Sequence, residues 1–224
     1  MTLADNKAKV FSEVQEACLE AGRNQESVSI IAVTKYVDSH IAGQLIDTGI
    51  SHIGENRVDK FLDKYEALKD KENLTWHLIG TLQRRKVKDV INYVDYFHAL
   101  DSVKLAQEID KRADHTIKCF LQVNISEEES KHGFKLEEID QVLTELENLS
   151  SIELVGLMTM APIDATEEEL EEIFEKTDEL RIRLQEKQIK NMPMTELSMG
   201  MSGDFKLAIK HNASFVRIGT AFFK

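Results

Sequence analysis

The sequence predicts an α/β fold: a closed (β/α)8 TIM barrel built as a single domain over residues 1–224. Three observations carry that expectation. Eight short apolar runs alternate with amphipathic helical stripes, and strand–helix alternation implies parallel strands joined by right-handed crossovers. The length of 224 residues suits one such barrel. No Pro-, Gly- or Ser-rich stretch interrupts the alternation to mark a linker. An open doubly wound sheet is the alternative, but the first strand–helix turn lacks the G-x-G-x-x-G cradle of that fold.

Leu3, Val10, Phe11, Val14, Cys18 and Ala21 form a first helical stripe, with Gly22 as its stop. Val28 to Thr34 is almost continuously apolar and β-branched, as a strand covered on both faces requires. A helix over Ser39 to Asp47, a strand near Ile50 to Ile53, and a helical stripe of Val58, Phe61, Leu62, Tyr65 and Leu68 follow. Trp76 to Ile79, Tyr96 to Leu100 and Ile117 to Ile125 are the next strands, separated by a helix near Gln83 to Ile91 and one ending at Arg112. Asp101 and Ser102 suit the cap of the latter, because their short side-chain oxygens accept from free backbone amides. Leu136, Ile139, Leu143 and Leu146 mark a helix before a sixth strand at Leu154 to Met158. Glu167 to Glu175 opens a long helix reaching about Lys187, its acids near the positive end of the helix dipole. Glu196 to Met199 and Phe215 to Ile218 complete the strands. No helix is expected after the last strand, and the N-terminal helix is expected to cover that gap.

Composition excludes several classes of function. The chain carries 28 Lys and Arg against 40 Asp and Glu, a net charge of −12, which disfavours broad binding to nucleic-acid backbones. No apolar run reaches the roughly 20 residues that span a bilayer, so no membrane partner is expected. Asp5, Lys7, Lys9 and Glu13 leave no apolar core for a secretory signal. Two cysteines, Cys18 and Cys119, make no disulfide framework, and reduced thiols in a cytoplasmic protein are the simpler expectation. A monomer is the default, since no heptad or exposed apolar stripe is readable.

Barrel active sites lie at the carboxyl ends of the strands, and phosphates often bind the loops after strands seven and eight. Both loops suit an anion here. Ser198-Met199-Gly200-Met201-Ser202-Gly203-Asp204 precedes a short helical stretch, Phe205 to Lys210, and small residues let backbone amides approach a ligand. Arg217-Ile218-Gly219-Thr220 adds a fixed cation, a bare backbone position and a hydroxyl. Singly, each is also an ordinary turn; their shared place at the mouth is what points to an anion. Lys35 ends the Ile30-Ile31-Ala32-Val33-Thr34 strand at the same mouth. A lysine there either snorkels to water or forms a Schiff base with a carbonyl ligand. The second role needs a deprotonated amine, which burial or a neighbouring cation such as Arg217 favours. Lysine beside a phosphate site suggests a sugar phosphate, as in Schiff-base aldolases, or pyridoxal phosphate.

His52, His77 and His98 fall on strands two, three and four. Without a His-x-His pair, and with few carboxylates beyond Glu55, they read as satisfied polar groups in the barrel and not as a metal site. Arg84-Arg85-Lys86 with Lys88 reads as a solvated basic face. Gly54-Glu55-Asn56-Arg57 closes strand two, where Asn56 suits a helix start with or without a ligand.

Several segments, in order, make the chain recognisable: Ala32-Val33-Thr34-Lys35, Gly54-Glu55-Asn56-Arg57, His77-Leu78-Ile79-Gly80-Thr81-Leu82-Gln83, Lys131-His132-Gly133-Phe134, Gly156-Leu157-Met158, Leu197 to Asp204 and Arg217 to Thr220. Together they resemble the pyridoxal phosphate homeostasis proteins, the YggS-like single-domain relatives of alanine racemase. The resemblance implies a fold-type III barrel carrying pyridoxal 5′-phosphate (PLP) as a Schiff base on Lys35. It places Ser198, Met199, Gly200, Gly219 and Thr220 around the phosphate, Arg217 near the pyridine nitrogen and Asn56 near the ring. Arg84 and Arg85 depart from the family pattern, in which a different residue often precedes an Asn-Lys pair.

Alanine racemases of this fold type add a β-rich domain that supplies a catalytic tyrosine, and the barrel here is expected to use the whole length. A racemase needs acid/base groups on both faces of its substrate; Lys35 can serve one, and no residue is evident for the other. A permanently charged arginine at the ring nitrogen weakens the electron sink. The resemblance therefore implies a cytoplasmic PLP-binding protein of vitamin B6 homeostasis with no catalytic residues, serving PLP-dependent apo-enzymes. A slow PLP-dependent amino-acid racemase is the alternative reading, and a Schiff-base aldolase a third.

Overall fold

A computed structural model describes residues 2–128 and 132–224; Lys131 of the Lys-His-Gly-Phe segment lies outside the described residues. The strands are β1 (Ser29–Val33), β2 (His52–Glu55), β3 (Thr75–Leu78), β4 (Tyr96–Leu100), β5 (Ile117–Gln122), β6 (Ile152–Met158), β7 (Glu196–Ser198) and β8 (Phe215–Ile218). They close in sequence order into a parallel barrel, with β1 paired to β2 on one side and to β8 on the other. Around it run α1 (Leu3–Glu20), α2 (Ser39–Ile46), α3 (Val58–Leu68), α4 (Val87–Val90), α5 (Val103–Arg112), α6 (Ile139–Leu146), α7 (Glu167–Gln185) and α8 (Phe205–Lys210).

Local chemistry explains the element ends. Helix α1 stops at Gly22, whose φ of +66° lets Gly22 N–H reach Leu19 O at 3.0 Å and Arg23 N–H reach Cys18 O at 2.8 Å, the paired bonds of a Schellman cap. Ser102 caps α5 by accepting from Leu105 N–H at 3.1 Å. Thr166 and Glu169 cap α7 reciprocally, with Thr166 N–H donating to Glu169 at 2.7 Å and Glu169 N–H to Thr166 at 3.2 Å.

Several elements differ from expectation: β5 ends at Gln122 and not at Ile125, β6 begins at Ile152 and not at Leu154, and β7 ends at Ser198 and not at Met199. The second strand begins at His52, after Gly49 turns the chain at φ +100°, and its pairing starts at His52 opposite Thr75. The helix expected over Gln83 to Ile91 is a 3-10 turn at Arg84–Lys86, the single α turn α4, and a second 3-10 turn at Ile91–Tyr93. No side chain caps the start of any of these pieces, and buried Val87, Val90 and Ile91 hold the segment instead.

The position outside β8 is covered by α1. Asn6 Nδ2 donates to Phe222 O at 3.0 Å and to Lys224 O at 2.9 Å, while Arg23 Nη1 donates to Ile209 O and Ala213 O, both at 2.8 Å. Inside the barrel the filling is largely aromatic. Phe215 lies 5.7 Å from the His77 ring, 5.2 Å from Tyr96 and 5.6 Å from Phe120. Among the described residues, no helix is long and apolar enough to cross a membrane.

Candidate functional site

A cavity of about 560 Å³ opens at the carboxyl ends of the strands, and Lys35, Asn56, Arg217, Gly219 and Thr220 line it. A second cavity of about 630 Å³ is bordered by Glu127, Glu128, Asp164, Glu169 and Glu172 with one cation, Lys176, which is paired to Glu172, so its net negative charge disfavours a phosphate.

Lys35 is exposed just past β1, its Nζ 4.8 Å above the Tyr36 ring. The residue behind it is held firmly. Thr34 is fully buried; its hydroxyl donates to Glu55 Oε1 at 2.7 Å, its N–H donates to Gly54 O at 3.0 Å and its carbonyl accepts from Lys64 Nζ at 2.7 Å. Lys64 also bonds to Glu55 in an ion pair that is almost wholly buried. An exposed amine thus stands on a buried polar clamp. Asn56 is placed by a close backbone contact: a Cβ on Gly80 would fall 2.1 Å from Asn56 O.

Arg217 is buried, with Nη1 donating to Ser198 Oγ at 2.6 Å and Nη2 to Thr159 O at 3.1 Å. Among the described residues, no hydrogen bond uses its Nε–H or the second hydrogens of its terminal nitrogens. Burial pulls its guanidinium down to about 10, against the opposing pull of Asp204, so it remains a cation at neutral pH. Ser202 and Gly203 also line the cavity. Among the described residues, the amides of Ser202, Gly203, Gly219 and Thr220 donate to no backbone carbonyl. Unpaired amides on two adjoining loops form a concavity suited to an anion.

Of the expected site residues, the structure gathers Lys35, Asn56, Arg217, Gly219 and Thr220 on the cavity wall. Ser198, Met199 and Gly200 lie beneath it. Ser198 and Met199 are fully buried. Gly200, at φ +96°, seats the loop on α8, where a Cβ would meet Ala208 Cβ at 2.7 Å. Sequence reasoning missed Tyr36 and Met160 on the cavity wall; both are large, exposed apolar side chains, which no sequence period announces. Gly80 stood within a recognised segment without a role.

The three histidines form a column. Ser198 Oγ is 2.7 Å from His98 Nδ1, His98 Nε2 is 2.9 Å from His77 Nδ1, and His77 Nε2 is 2.9 Å from His52 Nδ1. Among the described residues no cluster of side chains is arranged to hold a metal ion. Burial holds His77 well below the usual imidazole range, helped by His98 and His52; burial does the same to His98, helped by Arg217. Burial also lowers His52, against Asp95. An unfolded chain therefore binds these protons first, so the stability is complete above the ordinary value near 6.5 and is lost as pH falls below it. The exposed His115, raised by its bond to Asp114, opposes this only in part. The urea midpoint is expected to be lower at about pH 5.5 than at about pH 7.5; equal midpoints would contradict the neutral column.

Residues 17–224 match the family model of the alanine racemase N-terminal domain. The pyridoxal phosphate homeostasis protein of Aquifex aeolicus is 38% identical over 226 residues, spanning 100% of this chain and 98% of that protein. The chain belongs to the pyridoxal phosphate homeostasis protein family. A solved structure with PLP bound, PipY of Synechococcus elongatus, matches it with a TM-score of 0.88 at 31% identity over 100% of both chains. Alanine racemase from Corynebacterium glutamicum matches at a TM-score of 0.75 and 13% identity, covering 99% of this chain and 60% of that one. That likeness shows the barrel that homeostasis proteins share with the racemases.

Proposed function

We propose that the cavity holds PLP, with the aldehyde carbon joined to Lys35 Nζ as a Schiff base and the phosphate on the loops after β7 and β8. One observation carries the reading: a lysine, a buried arginine with unspent N–H groups, and unpartnered loop amides share one cavity wall. The homologous PipY structure that contains PLP supports it, as does the name of the curated relative. When bound, PLP supplies an electrophilic carbonyl conjugated to a pyridine ring. Arg217 directs a permanent cation toward the ring nitrogen, Asn56 borders the ring, and Gly219, Thr220, Ser202 and Gly203 offer amides to the phosphate. Ser198, Met199 and Gly200 act from below, Ser198 by holding Arg217 and Gly200 by seating its loop. In our reading the barrel stores PLP in the cytoplasm and delivers it to apo-enzymes, without catalysis of its own, a reading that the name of the Aquifex aeolicus relative supports.

The test is chemical trapping. Purified protein incubated with PLP, reduced with borohydride and digested, is expected to carry the pyridoxyl mass on the peptide containing Lys35. No adduct, or an adduct confined to other lysines, would overturn the reading. Arg217→Gln is expected to weaken PLP retention in equilibrium dialysis about tenfold or more, because charge-assisted hydrogen bonds contribute about 1.5–3 kcal/mol. Unchanged retention would show that the guanidinium does not meet the ligand.

A further inference from the structure

The histidine column ends on Arg217, and a guanidinium can only donate. Arg217 Nη1 gives a hydrogen to Ser198 Oγ at 2.6 Å. Ser198 is fully buried, and among the described residues the acceptor within reach of its own hydroxyl hydrogen is His98 Nδ1 at 2.7 Å. His98 Nδ1 must then be bare and its proton must sit on Nε2, which faces His77 Nδ1 at 2.9 Å. The same step repeats to His52 Nδ1 at 2.9 Å. The opposite polarity would leave the Ser198 hydrogen buried without a partner, a costly state.

The ring planes are fixed by packing. Tyr96 stacks on His77 at 4.8 Å and 13°, and Phe120 on His98 at 4.4 Å and 23°. His77 and His98 have no exposed surface, while His52 at the amino end of β2 is partly exposed. The column therefore spans the barrel from the face opposite the cavity to the arginine on the cavity wall.

We propose that Ser198 and the His98–His77–His52 column are positioning residues for Arg217: the arginine locks all three imidazoles in the Nε2–H form, and the locked column holds the remaining guanidinium hydrogens toward the cavity. The second half rests on the reading of the cavity as a PLP site; the first half does not.

The test uses ligand-free protein labelled with nitrogen-15 at histidine, with long-range proton–nitrogen correlation spectra reporting the tautomers. The wild type is expected to show the Nε2–H form at His52, His77 and His98. Arg217→Lys, which keeps a fixed donor, is expected to preserve that pattern. Arg217→Met is expected to release it, giving Nδ1–H or averaged nitrogen shifts as far away as His52. A wild-type His98 protonated on Nδ1, or a folded Arg217→Met protein with an unchanged pattern, would overturn the proposal. If Arg217→Met does not fold, Ser198→Ala is expected to release His98 in the same spectrum, and an unchanged His98 would overturn it. Ser198→Ala is also expected to lower PLP retention about tenfold; retention equal to wild type would remove the positioning role. A wild type that binds no PLP would fail the cavity reading while leaving the tautomer result intact.

Discussion

Gly156→Ala is expected to leave no stable barrel. A Cβ at this position would fall 1.7 Å from Glu196 O and 2.5 Å from Glu196 C, and backbone atoms of a neighbouring strand cannot rotate away. Gly156 faces Glu196 in the β6–β7 register. It also lies where the β5–β6 register slips, since Cys119 pairs with Leu154 but Phe120 with Gly156. Relief requires parting β6 from β7, which opens the barrel beside Ser198. The cost should exceed the about 1–3 kcal/mol of ordinary overpacking, a large part of a typical stability of about 5–15 kcal/mol. Gly203→Ala is the control, because a Cβ there meets nothing within 4 Å. Thermal melts followed by far-UV circular dichroism should separate the two, and a Gly156→Ala protein melting with the control would refute the argument.

Glu55→Leu should cost about 3–5 kcal/mol, the usual consequence of stranding one member of a buried ion pair. Lys64, only 3% exposed, would be left with the Thr34 carbonyl as its remaining hydrogen-bond partner among the described residues. Thr34 would lose the acceptor for its hydroxyl, so the loss reaches the residue that carries Lys35. Urea denaturation should show that Glu55→Leu combined with Lys64→Met recovers most of the stability, since apolar replacement of both partners removes the stranded charge. Single-variant losses that simply add in the double variant would show that the two side chains are not coupled.

The barrel was legible because its strands are buried on both faces and its helices on one. The runs Tyr96–Leu100 and Phe215–Ile218 and the helix Phe205–Lys210 coincide with the observed elements. The Gln83 to Ile91 helix was misread because a basic, uncapped start and β-branched anchors satisfy a helical stripe without sustaining a helix. Topology alone put Lys35, Gly219 and Thr220 just past strand ends at the barrel mouth, whereas Asn56 near the ring was implied by the family resemblance; all four line the cavity. Ser198 could not be resolved that way. Ser198 and Met199 are both fully buried, and only the bonds from Ser198 to Arg217 and His98 show which of the two side chains joins the interior polar column. Lys64 was missed for another reason: it lies on the buried face of α3 with Phe61 and Leu68, where a lysine ordinarily snorkels to water, and its burial against Thr34 and Glu55 is a tertiary event. The histidines were correctly read as satisfied polar groups, but only coordinates show that they satisfy one another.

The seat of α1 has a consequence for how the molecule is made. Its Asn6 meets Phe222 and Lys224, and Arg23 meets Ile209 and Ala213. On the ribosome, α1 emerges before α8, β8 and the segment that follows, and must wait for them before its apolar side is sheltered. Such distant closure slows folding, and until then that side is available to a chaperone.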